Sequence, residues 1–234
     1  MTRGFFITGT DTGVGKTRFT VVMMNALKAQ AFTVAGMKPV ATGAFNRNGR
    51  LINEDAMLIS KNCSKPTAYE LINPIVFAPP IAPHIAAKQI KQTIDLEIIK
   101  NAYLQLEENN NMVVVEGIGG WRVPFSEKTS TVDLVRLLNL PVILVVGIRL
   151  GCLNHALLTA EALRADGMIL SGWVSNQIDK DYLFKQETID TLKKRLVCPH
   201  IADLPYMIDI QPDEMLEKIE LSLISENLPL TKPA

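Results

Sequence analysis

The chain has 234 residues, a length that allows one large domain or two small ones with a sizeable core. Lysine plus arginine and aspartate plus glutamate balance at 24 each, so the summed charge attracts neither nucleic acid nor an anionic membrane. Cys63, Cys152 and Cys198 lie far apart with no C-x-x-C spacing, which predicts neither a zinc site nor a disulfide framework. The sequence shows no secretory leader pattern, and the apolar run 141–148 is too short to span a bilayer, so we expect a soluble, cytoplasmic protein.

Strand-like apolar runs alternate with helical patterns along the chain. The predicted strands lie near 3–8, 32–38, 112–116, 141–148, 168–175 and 199–204. This alternation is typical of βαβ crossovers, so we predict an α/β fold with a mostly parallel twisted sheet and helices on both faces. We place a single domain at 1–224, interpret the proline-rich piece 73–84 as a rigid loop, and expect a flexible tail at 225–234.

The stretch 7–17 is a glycine-rich turn between the first strand and an amphipathic helix, which predicts a P-loop NTPase fold. Lys16 is expected to reach the β- and γ-phosphates, and the Thr17 hydroxyl to hold Mg²⁺. The usual template places a glycine where this chain has Thr10, and the glycine stands one place earlier, at Gly9. A chance glycine-rich turn is the alternative, and the strand-to-helix context favours the phosphate-binding interpretation.

Two strand ends and one helix start carry charged residues. Lys38 follows the second strand and is expected to project toward the phosphate loop, a solvated charge being the alternative. Glu116 ends the apolar strand 112–116, as in the Walker-B arrangement in which a carboxylate completes the Mg²⁺ shell. Asp55 opens a helix, where it is either a second metal ligand or an ordinary cap.

Two later segments are candidates for binding. The turn 147–154 leaves a buried strand and enters a predicted helix over 154–165, so its amides could bind an anion such as a substrate carboxylate, a plain loop being the alternative. Asn176 ends the strand 168–175, where its amide could both donate to and accept from adenine.

Together these segments resemble the dethiobiotin synthetase family over residues 3 to about 206, including the shifted first glycine. The motifs that carry the resemblance are Gly9-Thr-Asp-Thr-Gly-Val-Gly-Lys-Thr17, Lys38-Pro-Val-Ala-Thr-Gly43, Asn73-Pro with the loop to Pro83-His84, Val115-Glu-Gly-Ile-Gly-Gly-Trp121, Pro141-Val-Ile-Leu-Val-Val-Gly147, Leu150-Gly-Cys-Leu-Asn-His155 and Gly172-Trp-Val-Ser-Asn176.

The resemblance implies an ATP- and Mg²⁺-dependent cyclo-ligase that forms the ureido ring of dethiobiotin from 7,8-diaminononanoate and CO₂. The diamine takes up CO₂ as a carbamate, the carbamate attacks the γ-phosphate of ATP, and the second amine closes the ring on the resulting carbamic-phosphoric anhydride. ADP and phosphate are released. A homodimer with the substrate near the interface is also implied.

The resemblance also implies roles for individual residues. Lys38, Lys16 and Thr12 are expected to be catalytic, with Lys38 between carbamate and γ-phosphate. The metal ligands are expected to be Thr17, Asp55 and Glu116. The nucleotide is expected to contact Gly13, Val14, Gly15, Lys16, Thr17, Glu116, Gly117, Gly119, Asn176, Gln177, Leu204, Pro205 and Tyr206. The substrate is expected to contact Thr42, where the family often has serine, and the turn Gly151, Cys152, Leu153 and Asn154, which comes from a second subunit in the family.

Two other classes compete with this interpretation. A P-loop switch ATPase of the partitioning type usually carries an extra lysine early in the loop, near Asp11, and this chain shows none there. Another P-loop small-molecule ligase or a kinase is the second alternative, and a kinase would have no need for bicarbonate.

Overall fold

The centre of the protein is a six-stranded sheet in which every pair of neighbouring strands is parallel. The computed structural model describes residues 4–206 and 219–227. The sheet has the order β10-β9-β8-β1-β7-β2. Its strands are β1 (Gly4–Gly9), β2 (Val34–Met37), β7 (Met112–Glu116), β8 (Val142–Ile148), β9 (Leu170–Gln177) and β10 (His200–Leu204). All six predicted strands are therefore confirmed, with ends that differ by a few residues.

Four short strands lie outside the central sheet. They pair two by two: β3 (Val40–Ala41) is parallel to β6 (Ile75–Val76), and β4 (Phe45–Arg47) is antiparallel to β5 (Arg50–Ile52). The proline-rich piece 73–84 thus contains a two-residue strand and the first turn of a helix, which is more order than a loop alone.

Helices cover both faces of the sheet, as predicted. They are α1 (Lys16–Ala29), α2 (Glu54–Lys61), α3 (Tyr69–Ile72), α4 (Pro83–Gln89), α5 (Leu96–Asn109), α6 (Thr131–Leu138), α7 (Cys152–Ala165) and α8 (Lys185–Arg195), followed by a 3₁₀ helix (Leu221–Asn227). Side chains alternate along each strand, so Phe5 and Ile7 pack against α1 while Phe6 packs against α5 and α6. Two apolar layers therefore hold the sheet from opposite sides.

The remaining predictions concern the helix over 154–165, the tail at 225–234 and the absence of a membrane span. The helix predicted over 154–165 is confirmed and begins two residues earlier, at Cys152. Residues 225–227 belong to the 3₁₀ helix, and 228–234 lie outside the described residues, so the flexible tail stays a prediction. Within the described part of the chain, every helix is too short or too polar to cross a membrane.

His200, at the start of β10, makes the stability of this edge depend on pH. Its ring lies 2.9 Å from the Ser175 hydroxyl, and burial, together with the charge of Lys193, lowers its pKa from 6.5 to about 4. As the pH falls from 6.5 to 4, the unfolded chain binds a proton that the folded protein does not, so the free energy of unfolding falls, by roughly 1–2 kcal/mol once solvent screening of this partly exposed ring is allowed for.

We expect urea unfolding at pH 7 and at pH 4.5 to show this loss in the wild type and a smaller loss in His200→Gln, which cannot titrate there. Equal losses in the two proteins would assign the acid sensitivity to other groups.

Candidate active site

The glycine-rich turn joins the end of β1 to the start of α1 in a conformation that requires glycine. Gly13 and Gly15 have φ angles of 75° and 89°, which side chains rarely allow. A Cβ at Gly9 would lie 2.6 Å from the Val14 side chain, so close packing inside the turn explains why the first glycine stands at position 9. The turn leads into the amino terminus of a 14-residue helix, an arrangement that favours a bound phosphate.

Next to this turn, the ends of β2 and β7 bring Lys38 and Glu116 together. The Lys38 ammonium donates to Glu116 Oε1 at 2.5 Å and to Asp55 Oδ2 at 2.9 Å. Thr17 Oγ1 donates to the same Glu116 oxygen at 2.8 Å. Lys38 and Glu116 are buried, whereas the Asp55 side chain is 44% exposed. Asp55 and Glu116 therefore face one cleft and share one ammonium group.

The charges in this cluster are strongly coupled. Burial alone would lower the pKa of Lys38, but the charges of Glu116 and Asp55 outweigh it and raise that pKa. Burial would likewise raise the pKa of Asp55, and Lys38 lowers it instead. Lys16 is compensated only in part: burial and then the charge of Lys38 lower its pKa to about 8, although the charges of Glu116, Asp55 and Asp11 act in the opposite direction. An anion between the two lysines would relieve the repulsion between them.

A cleft of about 670 Å³ opens over these groups. Its lining includes Thr12, Gly13, Gly15, Lys16, Thr17, Lys38, Thr42, Asp55, Glu116 and Gly119 from the sequence-based predictions. The sequence did not indicate the other lining residues, which are 80–83, Ile118 and Val123, or the role of Asn53. Asn53 caps α2, and its amide donates to the Thr42 carbonyl at 3.2 Å. The signal that could have found it was the cap position directly before Glu54 and Asp55.

The three predicted metal ligands are compatible with Mg²⁺. Thr17 and Glu116 are in contact, and Asp55 shares the Lys38 ammonium with Glu116. The second oxygen of Glu116, Oε2, is buried and has no hydrogen-bond partner among the described residues. The described residues contain no cluster of three or more His, Cys, Asp or Glu able to hold a metal by themselves. A cation here would need the Thr17 hydroxyl and phosphate oxygens as further ligands, and oxygen ligands suit Mg²⁺.

The predicted nucleoside contacts lie on the other side of β1, at the ends of β9 and β10. The Asn176 amide is buried and donates to the Val14 carbonyl at 2.9 Å. Its oxygen accepts from Arg18 Nη1 at 3.0 Å, a residue that the sequence did not single out. Gln177 accepts from the Tyr206 amide at 3.4 Å. Asn176 therefore contacts the phosphate loop directly and still has one donor and one acceptor free for a ligand.

The predicted carboxylate-binding turn is separate from these groups. Gly151, with φ 91°, precedes α7, and Cys152 is buried beneath it. Among the described residues, the cleft lining does not include 151–154. In a single chain this turn is therefore not brought to the cleft.

Arg149 directly follows β8 and forms an ion pair with Asp11 of the phosphate loop. Its Nη2 lies 2.9 Å from Asp11 Oδ2, while Asp11 Oδ1 accepts from the Thr12 amide at 2.7 Å and the Asp11 carbonyl accepts from Lys16 at 2.8 Å. Arg149→Gln should weaken ATP binding by about two- to fivefold, because both partners of this pair are half exposed and such pairs contribute roughly 0–1 kcal/mol.

Calorimetric titration with MgATP would check this, with Arg50→Gln as the control, since the Arg50–Glu70 pair is also a surface ion pair, is more exposed, and does not contact the loop. An unchanged affinity in Arg149→Gln would show that the loop keeps its shape without this pair.

Comparisons with known proteins identify the family of this chain. The family described as an AAA domain matches residues 3–214. The chain is 48% identical over 206 residues to the ATP-dependent dethiobiotin synthetase BioD of Nitrosospira multiformis, covering 88% of this chain and 89% of that protein. It is 42% identical over 226 residues to the BioD protein of Vibrio vulnificus strain YJ016, covering 97% and 100%.

Solved structures show the same fold at low identity. A chain of the MinC:MinD cell division protein complex from Aquifex aeolicus matches with a TM-score of 0.57 at 13% identity, covering 98% of each chain. A ParA family ATPase from Chlorobium tepidum matches with a TM-score of 0.54, also at 13% identity, covering 97% of each. These likenesses support the P-loop NTPase fold alone, whereas the sequence relatives are far closer. The chain belongs to the dethiobiotin synthetase family.

Proposed function

We propose that this protein is an ATP- and Mg²⁺-dependent cyclo-ligase that makes dethiobiotin from 7,8-diaminononanoate and CO₂. The observation that carries the proposal is the position of Lys38, buried beside two carboxylates in the same cleft as the phosphate loop and Lys16. A reaction between two anions needs positive charge at this place. The names of the sequence relatives supply ATP and the product, and the diamine and CO₂ follow from the family resemblance.

The chemistry requires two bond exchanges. A carbamate oxygen bonds to the γ-phosphorus as the bond from that phosphorus to the β–γ bridging oxygen breaks, and ADP leaves. The second amine nitrogen then bonds to the carbamate carbon as the bond from that carbon to the phosphate-bearing oxygen breaks; the amine proton passes to solvent and phosphate leaves.

The residues of the cleft act on charge and alignment in both steps. Lys16 and Lys38 offset the repulsion between carbamate and triphosphate, and Thr12 and Thr42 offer hydroxyl groups at the carbamate end. Bound Mg²⁺ would neutralise phosphate charge, held by Thr17, Asp55 and Glu116. A bound triphosphate raises the lowered pKa of Lys16, because a nearby anion favours the protonated form of the lysine.

A homodimer is part of the proposal. The diamine carries a distant carboxylate, and the turn 151–154 lies outside the cleft of its own chain within the described residues. A second copy would bring that turn to the cleft, where its amides would cap the carboxylate. Leu150, directly before the turn, is 86% exposed, which is compatible with burial against a partner.

Phosphate release is the measurement that tests the function. We expect rapid release only when MgATP, the diamine and bicarbonate are all present, with a product whose mass corresponds to ring closure. Release without the diamine would favour a switch-type ATPase. Release with the diamine in degassed, bicarbonate-free buffer would favour a kinase.

A further inference from the structure

Arg18 is a buried residue on the nucleoside side of the phosphate loop. It lies in the first turn of α1, directly after Lys16 and Thr17, but its side chain points toward the ends of β9 and β10. Its Nη1 donates to Asn176 Oδ1 at 3.0 Å and to the Pro205 carbonyl at 2.6 Å. Arg18 thus connects the helix that holds the phosphates with the two strand ends beside it.

The other edge of the same guanidinium group is unpaired. Arg18 is 9% exposed, and its Nε and Nη2 are buried without a hydrogen-bond partner among the described residues. Burial also lowers the pKa of this side chain. Leaving two buried donors unpaired costs free energy, more so for a charged group. Such an edge needs an explanation, and Nε and Nη2 together form the fork that binds two neighbouring acceptors at once.

The position of the fork limits what it can bind. The cluster of Lys38, Asp55 and Glu116 belongs to the β7 and β2 side of β1, whereas Arg18 faces the β9 and β10 side. With phosphates in the loop, the reacting γ-phosphate lies toward Lys38, and the nucleoside extends the other way, beyond the strand ends. This direction makes the nucleobase the candidate ligand of the Arg18 fork.

We propose that Arg18 is a specificity-determining residue that binds the base of the nucleotide through Nε and Nη2. It recognises a purine edge with two adjacent acceptors, which is the O6 and N7 edge of a 6-oxopurine such as guanine. This inference rests on the proposed function, because it assigns the base site of the same nucleotide. Because both donors are buried, the proposal requires Pro205 and Tyr206 to move outward when the base binds.

The neighbouring amide explains how adenine is accepted at the same place. Asn176 has one donor and one acceptor left after its bonds to Val14 and Arg18. That combination matches the N7 acceptor and N6 donor of adenine. Asn176 thus binds a 6-aminopurine and Arg18 binds a 6-oxopurine, so the site accepts both ATP and GTP.

Nucleotide binding in the absence of diamine and bicarbonate tests this without using the ligase reaction. By calorimetry with Mg²⁺ present, we expect the wild type to bind GTP within about tenfold of ATP. Removing one acceptor from the ligand, as in 7-deaza-GTP, should weaken binding by about fivefold or more. Arg18→Lys keeps the charge and one donor group for Asn176 Oδ1 but lacks the fork, so it should weaken GTP by about tenfold or more while changing ATP by less than about threefold.

Arg136→Lys is the matched control, an identical change on the exposed side of α6, and should leave both affinities unchanged. Equal weakening of ATP and GTP in Arg18→Lys would overturn the assignment, as would a wild type that does not distinguish GTP from 7-deaza-GTP or does not bind GTP. The comparison of GTP with 7-deaza-GTP uses the wild-type protein, so it tests recognition of the base even if Arg18→Lys does not fold. A failed ligase assay with the expected binding pattern would reject the proposed function and leave Arg18 as the base-binding residue.

Discussion

Lys38→Ala should lower turnover by about 10²- to 10³-fold while changing the affinity for ATP by less than about fivefold. Removing one preorganised positive group from the place where charge develops costs roughly this much in rate. ATP binding depends mainly on the glycine-rich turn and Lys16, which remain. Single-turnover phosphate release and calorimetric titration with ATP measure the two effects separately.

The control for this variant is Lys88→Ala, which removes an exposed lysine of α4 and should leave both quantities unchanged. A parallel loss of turnover and ATP affinity in Lys38→Ala would mean that Lys38 acts in ground-state binding. Unchanged turnover would remove Lys38 from the mechanism.

Glu116→Gln should destabilise the protein by about 3 kcal/mol, since removing one partner of a buried ion pair leaves the buried Lys38 ammonium with only the half-exposed Asp55 as its counter-charge. Glu116 is fully buried and accepts from both Lys38 and Thr17. Asp55→Asn is the matched control, because it neutralises the other carboxylate on the same ammonium at a half-exposed position and should cost less than about 1 kcal/mol. Urea unfolding at pH 7 gives both values.

A double-mutant cycle measures the interaction energy between Glu116 and Lys38 directly. Combining Glu116→Gln with Lys38→Met removes both charges, so the double variant should be less destabilised than the sum of the single ones. Additive losses, or an Asp55→Asn loss as large as that of Glu116→Gln, would contradict the buried pair. Lys38→Met alone leaves two carboxylates without their ammonium, so Mg²⁺ should raise its unfolding temperature more than that of the wild type.

Three features of the protein are encoded locally and could be predicted from the sequence. The strands follow from short apolar runs, and the helices follow from the periodicity of apolar residues. The phosphate loop follows from its glycines, which readily adopt the positive φ angles of the turn. Even the shifted glycine has a local cause, because Val14, five residues later, occupies the space beside Gly9. The choice of Lys38 and Glu116 also followed, since charged residues at the ends of parallel strands meet at one edge. Asp55 stands at a helix start, and its choice as a metal ligand came from the family resemblance.

The pairing of these groups was decided only by the tertiary structure. Lys38 and Glu116 are 78 residues apart in the chain, Asp11 and Arg149 138, and Arg18 and Asn176 158. Each contact depends on which strands are neighbours in the order β10-β9-β8-β1-β7-β2, and no local pattern specifies that order. Arg18 in particular looks like an ordinary helix residue in the sequence. Its burial against β9, and the unpaired edge that results, exist only because that strand ends beside the first turn of α1.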